Sequence, residues 1–280
     1  MEENRTRPPR SQDAAEAEQG RGAASELRRR VLMKDKVVVI TGASGGIGAA
    51  VAESLAAQGA SLVLVARREA ELRAVAEKCG PNALAVVADV TSRDEVKRIV
   101  TESLERFGHI DVWVNNVGQG ISRLPSELTD DDIDHVMRMN VKTTLYGMQE
   151  VLPHFKERGH GQIVNISSML GRLPYAVIRS AYNGAKHFID ALTANFRMEH
   201  AESHPEIVFS LVSPGVVRTD FGLNARHGGP DSRQLPFSQS AEEVAEIIVD
   251  VIVRKRNDVY TREGSVGRVV EYYSSIGEDP

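Results

Sequence analysis

Tyr182 and Lys186 stand four residues apart in a strongly helical stretch, with Ser168 a short loop upstream and a glycine-rich turn, Thr41 to Gly48 (TGASGGIG), near the start of the chain. In a helix, positions i and i+4 lie one above the other, so the Lys186 ammonium can reach the neighbourhood of the Tyr182 hydroxyl. A free phenol has a pKa of about 10, too high for proton exchange near neutrality, and an adjacent cation is expected to lower it. A phenol tuned in this way gives a proton to a carbonyl oxygen or takes one from an alcohol. Such chemistry needs a hydride to move at the same carbon, and the glycine-rich turn suggests where a hydride carrier binds.

These residues need a scaffold, and the pattern of the chain supplies one. Short apolar runs at 36–40, 62–66, 84–88, 110–114, 162–166, 207–212 and 258–261 read as strands buried on both faces. Between them lie helical stretches, among them 47–58, 69–78, 94–107, 181–202 and 241–254. Strand and helix in alternation predict an α/β fold: one doubly wound parallel sheet of about seven strands, helices on both faces. Ligands of such a sheet gather outside the carboxyl ends of its strands.

With 280 residues, of which 41% are hydrophobic, the chain can bury one good core, so a single catalytic domain over 34–280 is expected. Residues 1–33 are polar and mixed in charge and read as a disordered tail. A net charge of -5 argues against nucleic acid as a partner. No apolar run is long enough for a membrane span and no secretory signal is visible. Cys79 is the only cysteine, which fits a reducing compartment, and a cytoplasmic location is expected. His200 and His204 are spaced i, i+4 but lack a third ligand, so no metal site is expected.

The turn TGASGGIG follows the first strand and opens the first helix, the context a dinucleotide-binding motif requires. Gly42, Ser44, Gly45, Gly46, Ile47 and Gly48 would cradle a pyrophosphate on the helix N-terminus. An acidic side chain ending the second strand would bind a bare ribose hydroxyl, but Ala66 stands there, followed by Arg67 and Arg68. Guanidinium groups match a phosphate, so NADP(H) is expected over NAD(H), with Ser44 as a second donor. Asp89, with Val90 in ADVT, is a candidate acceptor for the adenine amino group and also a turn residue. Asn116 and Gly118, in NNVG, end the fourth strand beside the cofactor.

Taken in order, TGASGGIG, ADVT, NNVG, Asn140 in MNVKTTLYG, NISS ending at Ser168, YNGAK and SPGVVRT resemble the short-chain dehydrogenases/reductases, in their shorter single-domain form. The resemblance runs from about residue 36 to residue 261 and implies hydride transfer between the 4-pro-S face of a nicotinamide dinucleotide and a carbonyl or secondary alcohol. It implies Tyr182 as acid–base, Lys186 as its tuning partner and ribose ligand, Ser168 as donor to the substrate oxygen, and Asn140 as holder of a water leading to Lys186. Pro214, Gly215, Val217 and Thr219 would border the nicotinamide, and pairing into a homodimer or homotetramer is implied through the long helix that carries Phe188, Leu192 and Phe196. Two departures are visible: Val117 replaces the usual alanine of NNAG, and Ser168 precedes Tyr182 by one residue more than is commonest, leaving Ser167 as a rival. The glycines also fit the pattern of longer sugar-nucleotide epimerases, but the short C-terminal part does not.

A substrate pocket is expected from Gln119 to Ile121, Met169 to Val177 and Phe221 to Phe237, within a substrate loop at about 214–240. Its apolar members favour a hydrophobic carbonyl or alcohol substrate. Arg172, Arg179, Arg226 and His227 complicate that, since any of them could meet an anionic group, but they are expected mainly as solvated surface. The alternative reading is a non-catalytic NADP(H)-binding regulatory protein on the same fold.

Overall fold

Valine-rich runs become central strands here because both of their faces are covered: Val37–Thr41 (β1), Val112–Asn115 (β4) and Gly161–Ile166 (β5) are buried at every position. A computed structural model describes residues 33–277. It adds strands Ser61–Ala66 (β2), Ala83–Val87 (β3), Ile207–Ser213 (β6) and Asp258–Tyr260 (β7). All pair in parallel in the order β3-β2-β1-β4-β5-β6-β7. The helices are Gly46–Ala57 (α1), Glu69–Cys79 (α2), Arg93–Phe107 (α3), Asp130–Val136 (α4), Thr143–Arg158 (α5), Ser180–His200 (α6), Ala241–Arg254 (α7) and Ser265–Ser274 (α8). The expected tail falls on residues outside those described, except Met33, which is buried in the core.

Two apolar clusters sandwich the sheet. Val38, Ile40, Leu62 and Leu64 point to the side covered by α1 and α7, where Leu55, Ile248 and Ile252 meet them. Val39, Val63, Val65 and Trp113 point to the other, against Ile99 of α3 and Val151 and Phe155 of α5. Alternation along each strand thus feeds both layers. A third cluster, Ile121, Val136, Val141, Tyr182, Ala185, Ile189 and Leu211, seats α6 beside the carboxyl ends of β5 and β6.

Several boundaries differ from the sequence reading, each for a local reason. β3 is not buried on both faces: it forms the sheet edge, pairs only with β2, and leaves Val87 exposed. β4 begins at Val112 because Asp111 is diverted, its carboxylate accepting from Val37 N at 2.9 Å and pairing with Lys36 at 3.2 Å. Between α4 and α5 the chain runs through a π-helical turn, Met137–Lys142, that no periodicity announced. His200 donates from Nδ1 to Phe196 O at 2.9 Å and stacks on the Phe196 ring. Among the described residues, no helix is long and apolar enough to cross a membrane.

Candidate active site

The chain winds outward from β1 through β2 to β3, then crosses back to β4, so the crevice between the ends of β1 and β4 is the switch point of the sheet. Thr41 and Asn116 stitch that crevice together. Thr41 Oγ1 donates to Val114 O and accepts from Asn116 N, both at 3.1 Å, while Asn116 Nδ2 donates to the Thr41 and Gly42 carbonyls at 3.2 Å each. Gly46 opens α1 with φ +56, a conformation that side chains disfavour. A methyl group at Gly48 would stand 2.7 Å from Asn116 Nδ2 and closer still to the Gly42 carbonyl oxygen. The first helical N–H groups therefore face a turn free of side-chain bulk, with Ile47 packed back onto the core.

Beyond the turn, Arg68 lies across Ser44, donating from Nε and Nη2 to its hydroxyl at 3.3 and 3.1 Å and from Nη2 to its carbonyl at 3.2 Å. Glu71 lies 3.3 Å from the same guanidinium. Arg67 instead turns to Asp89, 3.9 Å away, and Asp89 accepts from Thr91 N, the turn role foreseen for it. Val90 beside it is buried. From the far side, Thr219 closes on the glycine-rich turn, its Cγ2 lying 3.1 Å from where a Gly46 side chain would begin. Pro214 O accepts from Met169 N at 2.8 Å, Val217 bridges to Gln239, and Gly215 lies against Arg262. This bare cradle, with a paired arginine and serine at one end, fits a nicotinamide dinucleotide. Gly42, Gly45, Gly46 and Gly48 would hold its pyrophosphate, and Lys186 and Thr219 its nicotinamide half.

Tyr182 sits in the first turns of α6, with its ring tilted against Phe221 at 5.5 Å between centroids. Ser168 lies near enough to the phenol to pull its pKa down, its Oγ accepting from Leu170 N at 3.1 Å, whereas Ser167 faces away, donating to Asp190 and to the Lys186 carbonyl. Lys186 is buried and donates from Nζ to Ile166 O at 2.8 Å, with Nζ 5.6 Å from the centre of the Tyr182 ring. Asn140 lies within the π-turn and is fully buried. Its Nδ2 donates to the Gln119 and Val136 carbonyls at 3.0 Å, and its Oδ1 accepts from Gln119 N at 3.1 Å. Gly118 leaves room between Lys186 and Asn140, since a side chain there would begin 2.8 Å from Asn140 Oδ1 and 3.3 Å from Lys186 Nζ.

The expected lowering of the phenol does not occur in this structure. Burial pushes Tyr182 up to about 12, against the opposing pull of the nearby Ser168 hydroxyl and the Arg179 charge. Burial also draws Lys186 down to about 8, with the Asp190 carboxylate acting in the other direction. Lys186 therefore remains largely protonated at neutrality. Its charge is directed to the Ile166 carbonyl and to Asp190 more than to the phenol.

Asp190 is the residue that sequence reasoning missed. It follows Lys186 by one helical turn, as Lys186 follows Tyr182, and that spacing was the available signal. Buried and pushed up to about 6 chiefly by that burial, it accepts from Ser167 and lies 2.9 Å from Arg172 Nε, an ion pair without hydrogen-bond alignment. Arg172 continues to Asp258 at 2.9 Å. Asp190 thereby clamps the loop bearing Ser168 onto the helix bearing Tyr182.

Of the three segments expected to line the substrate pocket, Gln119 to Ile121 meets Phe221 to Phe237, and the chain just beyond Val177 joins the strand end through Arg123. Ile121 bridges to Arg226, Arg123 N donates to Ile178 O at 2.9 Å, and Gln119 Nε2 donates to Asn224 O at 2.7 Å. Met169 and Leu173 are buried, while Tyr175, Val177 and Leu223 are exposed. The four cationic residues are not solvated surface as expected. Arg226 and His227 each reach the fully buried Asp132 carboxylate at 2.7 Å, Arg123 joins it at 2.8 Å, and Arg172 is paired as above. Arg179 is buried.

Residues 36–228 match the short chain dehydrogenase family. An uncharacterized oxidoreductase of Staphylococcus epidermidis is 33% identical over 221 residues, which cover 79% of this chain and 90% of that protein. Among solved structures, a 3-ketoacyl-(acyl-carrier-protein) reductase of Brucella melitensis complexed with NADH superposes with a TM-score of 0.73 at 26% identity, covering 82% of this chain and 98% of that one. An alcohol dehydrogenase of Thermococcus sibiricus complexed with 5-hydroxy-NADP gives 0.70 at 28% identity, covering 82% and 97%. Order of strands, glycine-rich turn and matched length agree: the chain belongs to the short chain dehydrogenase family of single-domain oxidoreductases.

Proposed function

We propose that this protein is an NADP(H)-dependent oxidoreductase that interconverts a carbonyl group and a secondary alcohol on a largely apolar substrate, with Tyr182 as the acid–base. The observation that carries this reading is the convergence of Ser168 and the Lys186 helix face on one buried phenol beside the glycine-rich turn. A nicotinamide dinucleotide held there supplies or accepts the hydride. Tyr182 and Ser168 would both donate to the substrate oxygen as negative charge builds on it, and in a buried site such fixed donors act with little screening. Near neutrality the raised phenol keeps its proton, so it is ready to give it to a carbonyl oxygen. Lys186 would hold the nicotinamide ribose and Asn140 a water that connects the ammonium to solvent.

NADP(H) rather than NAD(H) is supported by the guanidinium of Arg68 resting on Ser44, with no carboxylate ending β2. Relatives are found with either dinucleotide, so the local charge decides. Replacing Arg68 with aspartate should lower the preference for NADP(H) by about 10- to 100-fold, as expected for losing a charge-assisted hydrogen bond. Arg67→Asp should have the smaller effect, because Arg67 faces Asp89. Dissociation constants for NADPH and NADH measured by fluorescence titration test this, and an unchanged ratio in Arg68→Asp would refute it.

A homodimer or homotetramer and a cytoplasmic location belong to the same reading. The outer faces of α5 and α6 support pairing: Phe188 and Met198 are exposed there, beside a groove lined by Leu152, Pro153 and Phe196. Light scattering at micromolar concentration should return a multiple of the chain mass, and a monomer would remove the proposal.

A further inference from the structure

Three of the four cations near the substrate side are engaged by acids of the chain itself: Arg172 by Asp190 and Asp258, Arg226 by Asp131 and Asp132, His227 by Asp132. Arg179 is the fourth, and among the described residues no acid pairs with it. Only 9% exposed, it has one hydrogen bond, from Nη1 to Ile121 O at 3.1 Å. Its Nε and Nη2 carry no acceptor, yet neither is sealed from solvent. A guanidinium stays charged in proteins, and a buried charge without a counter-ion is unfavourable unless something else supplies one.

The position of the group indicates what that would be. Arg179 Nη1 and the Phe221 ring both press on the bare Cα of Gly120, and Phe221 in turn packs on the Tyr182 ring at 5.5 Å. The guanidinium is thus one aromatic ring away from the phenol, close enough for its charge to act on the Tyr182 proton. On its other side, Nη2 lies 2.8 Å from where a side chain at Gly229 would begin, and Ser122 Oγ lies 3.1 Å from the same point. That hydroxyl is buried and has no hydrogen-bond partner. The Gly222 carbonyl oxygen lies closer still to that point, at 2.6 Å, and the Ser122 hydroxyl is sealed from solvent, so the guanidinium is the donor here that stays open to a ligand.

We propose that Arg179 binds a carboxylate on the substrate, so that the enzyme acts on keto acids or hydroxy acids whose remaining chain is apolar. With Nη1 committed to Ile121, the free edge of the guanidinium offers Nε and Nη2 as two parallel donors, which matches the two oxygens of a carboxylate. The inference rests on the reading of Tyr182 given above and narrows its substrate class.

The test compares 2-, 4- and 5-oxohexanoate with their methyl esters, which keep the skeleton and remove the charge. Wild-type enzyme should favour at least one acid over its ester by about 100-fold in kcat/KM, the size expected for a charged hydrogen-bonded pair. Arg179→Gln, which can still donate to Ile121, should lose that ratio mainly through KM, whatever its overall rate, and Arg179→Lys should retain part of it. Ester turnover without any preference for acids, or a preference that survives in Arg179→Gln, would overturn the proposal while leaving the oxidoreductase reading intact. If neither acids nor esters are turned over, the oxidoreductase reading is what suffers. Calorimetric titration of the dinucleotide-loaded protein with hexanoate and hexanamide then decides the anion site: carboxylate-selective binding lost in Arg179→Gln upholds it, and no selective binding overturns it.

Discussion

Tyr182→Phe is expected to lower kcat by about 100- to 10,000-fold, the range for removing a positioned general acid, while leaving dinucleotide binding within a few-fold of wild type. The argument is local. Phenylalanine keeps the ring that packs on Phe221 and fills the cluster with Ile121, Ala185 and Leu211, so the helix should stay seated. What disappears is one hydroxyl, the group that meets Ser168. Because burial holds the phenol near 12, the proton leaves only as charge develops on the substrate oxygen, when the Arg179 field and the nearby Ser168 hydroxyl favour the phenolate. Carbonyl-dependent oxidation of NADPH would measure the rate and NADPH fluorescence the binding. Equal turnover in the variant would remove Tyr182 from the chemistry, and a folded variant that no longer binds dinucleotide would assign the residue to the cradle instead.

Much of this arrangement was legible in the order of residues. Strand and helix alternation gave the doubly wound sheet, because valine-rich runs of five or six residues have no stable place except between two helical layers. The glycine-rich turn and Asn116 were identifiable because each occupies a chain position fixed relative to a strand end, whereas Thr219 was implied only by the family resemblance. Pairwise facts across space were less legible. That Arg68 rather than Arg67 lies on Ser44 depends on the phase of the first turn of α2, which neighbouring arginines leave open. Nor does sequence reveal that Arg226 and His227 are taken by Asp132, about ninety residues away, while Arg179 has no acid among the described residues. The sense of the Tyr182 shift was misread for a related reason. Spacing brings an ammonium near a phenol, but only the fold reveals that both are dry and that the ammonium bonds first to Ile166.

Asp190 links these observations. Tyr182, Lys186 and Asp190 occupy one face of α6 in successive turns, and the loop after β5 touches that face through Ser167, Gly171 and Arg172. A side chain at Gly171 would begin 2.9 Å from Asp190 Oδ2 and 3.0 Å from the Lys186 carbonyl carbon, so loop and helix meet almost backbone to backbone. This close approach fixes Ser168 against the phenol although Ser168 lies on a loop, where side-chain position is otherwise poorly constrained.

Gly48→Ala should do the most damage at the cofactor end, although alanine is the better helix former. In an unobstructed helix the substitution would gain about 0.5–1 kcal/mol. At residue 48 the added methyl meets Asn116 Nδ2 at 2.7 Å and the Gly42 carbonyl oxygen at shorter range, and neither can step aside. Gly42 is held by its N–H to Val65 O at 2.8 Å, and Asn116 is held to the Thr41 and Gly42 carbonyls. Relief must come from moving α1 away from the ends of β1 and β4, at a net cost of about 1–3 kcal/mol, and that movement spreads the N–H groups offered to the pyrophosphate. A fall in melting temperature of about 3–10 °C should therefore accompany a rise of at least about tenfold in the dissociation constant for NADPH. Gly267→Ala provides the opposite sign. Residue 267 lies on the exposed face of α8 with nothing within 4 Å of the added methyl, so the same substitution there should raise the melting temperature and leave NADPH affinity unchanged. Scanning calorimetry with fluorescence titration separates the two, and wild-type affinity in Gly48→Ala would show that the dinucleotide does not rest on this turn.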